Sequence, residues 1–84
     1  MRATVVITKS GSEYRATLLG KRGHQGASAG LTPYEAAATA AKMMVWCAVN
    51  DPEGGVLMAP PEVMDLVPEH LRNVAGNKTE ETAK

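Results

Sequence analysis

Eighty-four residues carry nine Lys/Arg against nine Asp/Glu, for a formal charge of zero, and 44 % of them are hydrophobic. That length excludes more than one domain with a small core, and the apolar content excludes a disordered chain. Zero net charge argues against long-range steering onto a polyanion, although residues 1–42 hold six basic side chains against two acidic and residues 43–84 three against seven.

Residues 2–8, RATVVIT, alternate with Ala3, Val5 and Ile7 on one side, and residues 13–19, EYRATLL, alternate with Tyr14, Ala16 and Leu18. Period two and β-branched content predict two strands. Lys9-Ser10-Gly11-Ser12 between them predicts a turn, hence a β-hairpin with one face on the core and one in water. Residues 20–30, GKRGHQGASAG, break the pattern with four glycines and the basic Lys21, Arg22 and His24. This stretch reads as a loop, in which Gln25 to Ala29 can supply a third strand.

Residues 32–50, TPYEAAATAAKMMVWCAVN, predict the main helix. Thr32 suits the N-cap, Pro33 the first helical position, and Glu35 completes a capping box. Alanine favours helix intrinsically. Glu35, Thr39, Lys42 and Trp46 share one face; Ala37, Ala40, Ala41, Met44 and Ala48 share the opposite one, with Cys47 beside it. That small apolar face implies close approach to the sheet, so leucine at position 40 or 41 is expected to overpack it. Asn50 to Gly55 is a turn cluster, Val56–Ala59 a short apolar edge strand, and Pro61 a helix start for EVMDLV. Pro68 then breaks that helix, EHLRNVA resumes it for a turn or two, and NKTEETAK is a polar tail. The organisation expected is one domain over 1–75 with a tail over 76–84.

Cys47 is alone, so no internal disulfide can form and a reducing compartment fits. No apolar run approaches a membrane span, and the N-terminus has no signal-like apolar region. The expectation is a cytoplasmic protein, in the host cytoplasm if phage-encoded, with no membrane contact.

No constellation for catalysis assembles. His24 and His70 are far apart without a cysteine or carboxylate cluster, so no metal site is expected. Neither phosphate-loop nor dinucleotide signature is present in the glycine-rich stretch, which serves either as a strand connection or as a contact loop for RNA or protein. Trp46 is either a solvent-facing interface anchor or covered by residues 56–74. The outer hairpin face, Arg2, Thr4, Arg15 and Thr17, offers phosphate contacts but no aromatic for stacking bases.

The order hairpin, loop, then Gly30-Leu31-Thr32-Pro33-Tyr34-Glu35-Ala36 opening a helix resembles the HicB-like antitoxin domain, whose helix start is G-x-T-x-x-E-A. Gly30, Thr32, Glu35 and Ala36 match it, and the likeness covers residues 3–45. It implies a protein-neutralising module on an α+β scaffold. The loop GKRGHQGASAG replaces the family's proline-containing one.

The fold class expected is α+β: a two- or three-stranded antiparallel sheet packed on one main helix, with a short C-terminal strand and a broken helix. The function expected is non-enzymatic, without a cofactor: a binding protein that occupies a protein or ribonucleoprotein, such as a phage-encoded inhibitor of a bacterial defence complex (anti-CRISPR type) or an antitoxin-like module. Trp46, Lys42, Lys21, Arg22 and His24 are the expected contact residues. The alternatives are a small RNA- or DNA-binding module using the basic N-terminal half, and a homodimeric structural protein.

Overall fold

The computed structural model describes residues 2–20 and 23–76. Strand β1 (Ala3–Ser10) turns through Gly11-Ser12 into β2 (Glu13–Gly20). Their antiparallel register sets Val5 against Leu18 and Ile7 against Ala16, so the inward sets predicted from alternation face the core together. Strand β3 (Gly23–Leu31) pairs antiparallel with β2, with irregularities near Tyr14 and Leu18, and forms an edge of the sheet. The third strand is therefore real and longer than residues 25–29. Lys21, Arg22 and the tail beyond residue 76 lie outside the described residues.

Helix α1 (Pro33–Asn50) starts as its cap chemistry dictates. Thr32 Oγ1 accepts the Glu35 N–H at 3.1 Å, and the Glu35 carboxylate accepts the Thr32 N–H at 2.9 Å. The helix ends at Asp51, whose carboxylate accepts the Glu53 N–H at 2.8 Å while its own N–H reaches the Cys47 carbonyl.

Strand β4 (Gly55–Met58) then runs parallel to β1, with Val5 level with Leu57. A parallel neighbour needs a long crossover, and α1 supplies it. A two-residue strand, β5 (Asn73–Val74), closes the far edge, giving the order β3-β2-β1-β4-β5. The sheet is thus mixed and five-stranded, which corrects the antiparallel two- or three-stranded expectation. The short run at 56–59, expected at an edge, is an interior strand between β1 and β5, because β1 has a second free side once the helix has crossed the sheet.

The C-terminal helix is shorter than its pattern suggested. Helix α2 covers only Pro61–Met64, and a single 3₁₀ turn, Glu69–Leu71, follows Pro68. The stretch read as helix at 73–74 is strand β5, held by the Leu57 N–H to the Arg72 carbonyl (2.9 Å) and by the Arg2 guanidinium. That guanidinium donates to the carbonyls of Gly55 (2.8 Å) and Val74 (3.0 Å) and to the Asn73 side chain. Backbone pairing with a strand distant in sequence overrides local helix preference here.

The core lies between the sheet and α1: Ala3, Val5, Ile7, Tyr14, Ala16, Leu18 and Leu57 meet Ala36, Ala37, Ala40, Met44 and Cys47, with Val63, Val67 and Val74 closing one end. Among the expected inward residues, Ala41 and Ala48 are only half-buried, whereas Ala36 and Cys47 are fully enclosed. The helix is rotated from the expected face because α1 must cover β4 as well as the hairpin. A Cβ on Gly55 would lie 2.7 Å from the Cys47 Cβ, so glycine there lets helix and sheet meet.

Candidate functional site

Two features of α1 decide what surface it offers. Of its eighteen residues only Glu35 and Lys42 are charged, and several large apolar side chains point away from the core. On the flank facing β2, Trp46 is 41 % exposed and lines an open groove of about 330 Å³ with Leu18, Lys42 and Met43. Leu18 forms part of the floor. Its neighbour on β3 is Gly26, where a Cβ would meet nothing within 4 Å, so the sheet beside Leu18 stays low towards the β3 edge. Lys42 forms no ion pair among the described residues and sits on the same wall as the indole. An indole with a cation beside it in an apolar groove suits an apolar side chain accompanied by a carboxylate.

Of the expected contact residues, the structure brings Trp46 and Lys42 together. His24 is exposed on β3 opposite Leu19, apart from the residues that line the groove. Lys21 and Arg22 lie outside the described residues. Of the other two residues that line the groove, Leu18 was legible only as an inward residue of its strand, and Met43 was assigned to neither face of the helix. That they line a groove depends on where α1 crosses β2: Leu18 stays buried at its floor and Met43 is half-buried at its side.

Other reactive groups are tied down. Burial, with the nearby negative charge of Asp51, pushes the Cys47 thiol up, which keeps it protonated and unreactive. The Tyr14 hydroxyl donates to a Glu62 carboxylate oxygen at 2.6 Å, binding α2 to β2, and the Lys9 ammonium lies 5.9 Å from the Tyr14 ring centre. That hydrogen bond holds the Glu62 carboxyl below its ordinary value and, with burial and the carboxylate charge, raises the Tyr14 phenol. Both shifts stabilise the pair as phenol and carboxylate, the opposite of an acid–base couple poised near neutrality. Among the described residues no three His, Cys, Asp or Glu side chains gather as a metal site would require. No helix among them is long and apolar enough to cross a membrane.

The Tyr14–Glu62 bond has a pH signature. A carboxylate with a lowered folded-state pKa contributes stability above its unfolded value, and the contribution is lost as pH falls through the folded value. The melting temperature of the wild type is therefore expected to fall across the carboxylate range more steeply than that of Tyr14→Phe. Identical acid limbs for the two proteins would show that the bond contributes nothing.

Among the described residues no element packs on the sheet face away from α1, which carries Arg15, Leu19 and Met58 exposed, with Thr4, Val6, Thr17 and Val56 half-buried. All three aromatic residues of the chain are elsewhere: Tyr14 in the core, Tyr34 and Trp46 on α1. Base stacking, the usual basis of single-strand recognition by a sheet, finds no Phe, Tyr or Trp there and, among the described residues, only the His24 imidazole level with Leu19 at the β3 edge. Compared with known proteins, the chain matches no family model, no curated protein and no solved structure.

Proposed function

We propose that the chain is a non-enzymatic binding protein that docks through the Trp46 groove onto a protein or ribonucleoprotein and blocks it. One version is a phage-encoded inhibitor of a bacterial defence complex, of the anti-CRISPR type, working in the host cytoplasm; an antitoxin-like module is another. The observation that carries the reading is Trp46 itself, a tryptophan two-fifths exposed in an apolar groove beside Lys42, which forms no ion pair among the described residues. Tryptophan in such a setting offers large contact area at little entropic cost and is the side chain most enriched among interface anchors. The thiol and the Tyr14–Glu62 pair, both held in unreactive states, support a binding role over catalysis.

The test is capture of partners from a nuclease-treated bacterial lysate on the tagged full chain. A stoichiometric partner that survives nuclease is expected, and Trp46→Ala is expected to weaken it by about 30-fold, the effect of a central anchor worth ~2 kcal/mol. Recovery of heterogeneous nucleic acid, with protein lost after nuclease treatment, would replace this reading by nucleic-acid binding through the basic N-terminal half. A partner indifferent to Trp46→Ala would remove the groove from the site.

A further inference from the structure

A second apolar seam runs along α1, separate from both its core side and the Trp46 groove. Tyr34, Ala38, Ala41, Val45 and Val49 follow at intervals of four, three, four and four residues, the spacing that keeps side chains in line along a helix. Tyr34 is 74 % exposed and Val49 61 %, Val45 is about half exposed, and Ala38 is open to solvent. A helix covering one face of a sheet ordinarily turns charges outward. Here the two charged residues, Glu35 and Lys42, lie along one flank of the seam rather than on it. They are seven residues apart, about 10 Å along the axis, too far to pair with each other. Among the described residues neither forms an ion pair. One carboxylate oxygen of Glu35 is engaged at the Thr32 cap, and the other has no hydrogen-bond partner among the described residues.

We propose that this seam pairs antiparallel with the same seam of a second copy of the chain, about a two-fold axis between Ala38 and Ala41. This interface goes beyond the docking reading and does not depend on it. Its first four residues are palindromic about that point, with Val49 beyond the paired stretch: Tyr34 meets the partner's Val45, Ala38 meets the partner's Ala41, and the two-fold repeats both contacts. Alanines at the axis allow close approach of the helices, towards the short end of the ~8–10 Å range, while tyrosine and valine fill the space on either side. In an antiparallel two-fold pair each flank meets its own counterpart. Glu35 therefore faces the partner's Lys42, offset by about 3 Å along the axis, and Lys42 faces the partner's Glu35. A self-complementary contact requires that match of opposite charges about the axis. Four seam residues and two flanking charges a side are fewer than the ~20–30 residues of a standard interface, so the dimer is a weak one, with a Kd on the order of 100 μM.

Sedimentation equilibrium of the full chain from about 10 μM to about 1 mM spans that affinity, with circular dichroism confirming that each variant is folded. The wild type is expected to follow a monomer–dimer equilibrium, and Val45→Asp, at an exposed position, to weaken it by about tenfold or more, since each copy would bury an unpaired carboxylate. Lys42→Glu alone is expected to weaken it about fivefold by facing two carboxylates. Mixing the Lys42→Glu chain with a Glu35→Lys chain restores opposite charges on both sides of the axis and should recover the dimer as a heterodimer. Trp46→Ala is expected to leave the dimer unchanged, which separates this interface from partner docking. A wild type still monomeric at the highest concentration would overturn the proposal, as would a dimer indifferent to Val45→Asp or a mixture no tighter than its components.

Discussion

Replacing Gly54 by alanine is expected to destabilise the chain by at least ~3 kcal/mol, a large part of the stability of a domain this size. Two causes combine. Gly54 has φ +79°, where an L side chain costs about 1–2 kcal/mol. A Cβ there would also fall on the Val74 carbonyl oxygen and within 2.7 Å of the Ala75 carbonyl carbon and the Gly76 nitrogen, all backbone atoms unable to swing away. The residue sits where the Asp51 turn enters β4 and where β5 closes against it, and its N–H bonds the Asp51 carbonyl at 3.1 Å. Gly11 is the control: its φ of +63° is similar, but nothing lies within 4 Å of a Cβ there. Gly11→Ala should therefore cost only the ~1 kcal/mol of backbone strain. Urea unfolding of the two variants measures the difference, and equal midpoints would mean that β5 does not pack on Gly54 as described.

The second large effect separates two neighbouring alanines. Ala40 is fully buried between α1 and the sheet, whereas Ala41 is half-buried on the next face. Ala40→Leu must push three extra carbons into a contact close enough that Gly55 admits no side chain against Cys47. Overpacking of this kind typically costs about 1–3 kcal/mol, and in a domain with few alternative packings the upper end is expected. Ala41→Leu should change stability by less than ~0.5 kcal/mol, as surface substitutions usually do. Thermal melts at matched concentration decide it. Equal losses at both positions would return α1 to the orientation that its sequence pattern suggested, in which both alanines faced the sheet.

That misplacement of Ala41 shows where local reasoning stops. The wheel separates Glu35 and Lys42 from the small residues correctly, but nearly every other position of α1 is apolar, so the pattern leaves its rotation loosely specified. Ala36 and Cys47 are enclosed because the helix spans β4 and β5 as well as the hairpin. The groove was half legible for a related reason. Trp46 and Lys42 stand out by chemistry alone, whereas Leu18 reads as core and Met43 stands on neither face, and both line the groove only where α1 leaves part of β2 uncovered. The seam at Tyr34, Val45 and Val49 did have a signal in the sequence, namely the near absence of charge over eighteen helical residues.

What the chain determines by itself is whatever its neighbours along the sequence can enforce. The capping box at Thr32 and Glu35 starts α1, Asp51 and the glycines after it stop the helix, Gly11 turns the hairpin, and alternation selects which side of β1 and β2 is apolar. Each depends on contacts within a few residues, so each survives reading without a fold. Tertiary structure alone decided the rest: the parallel seat of β4 on β1, the pairing that makes residues 73–74 a strand, the rotation of α1, and the groove beside Trp46. These join segments distant in the sequence, the widest span being that of Arg2 when it reaches Val74. The unpaired side of β1, the surface α1 must cover and the space left over β2 exist only once those distant segments have met.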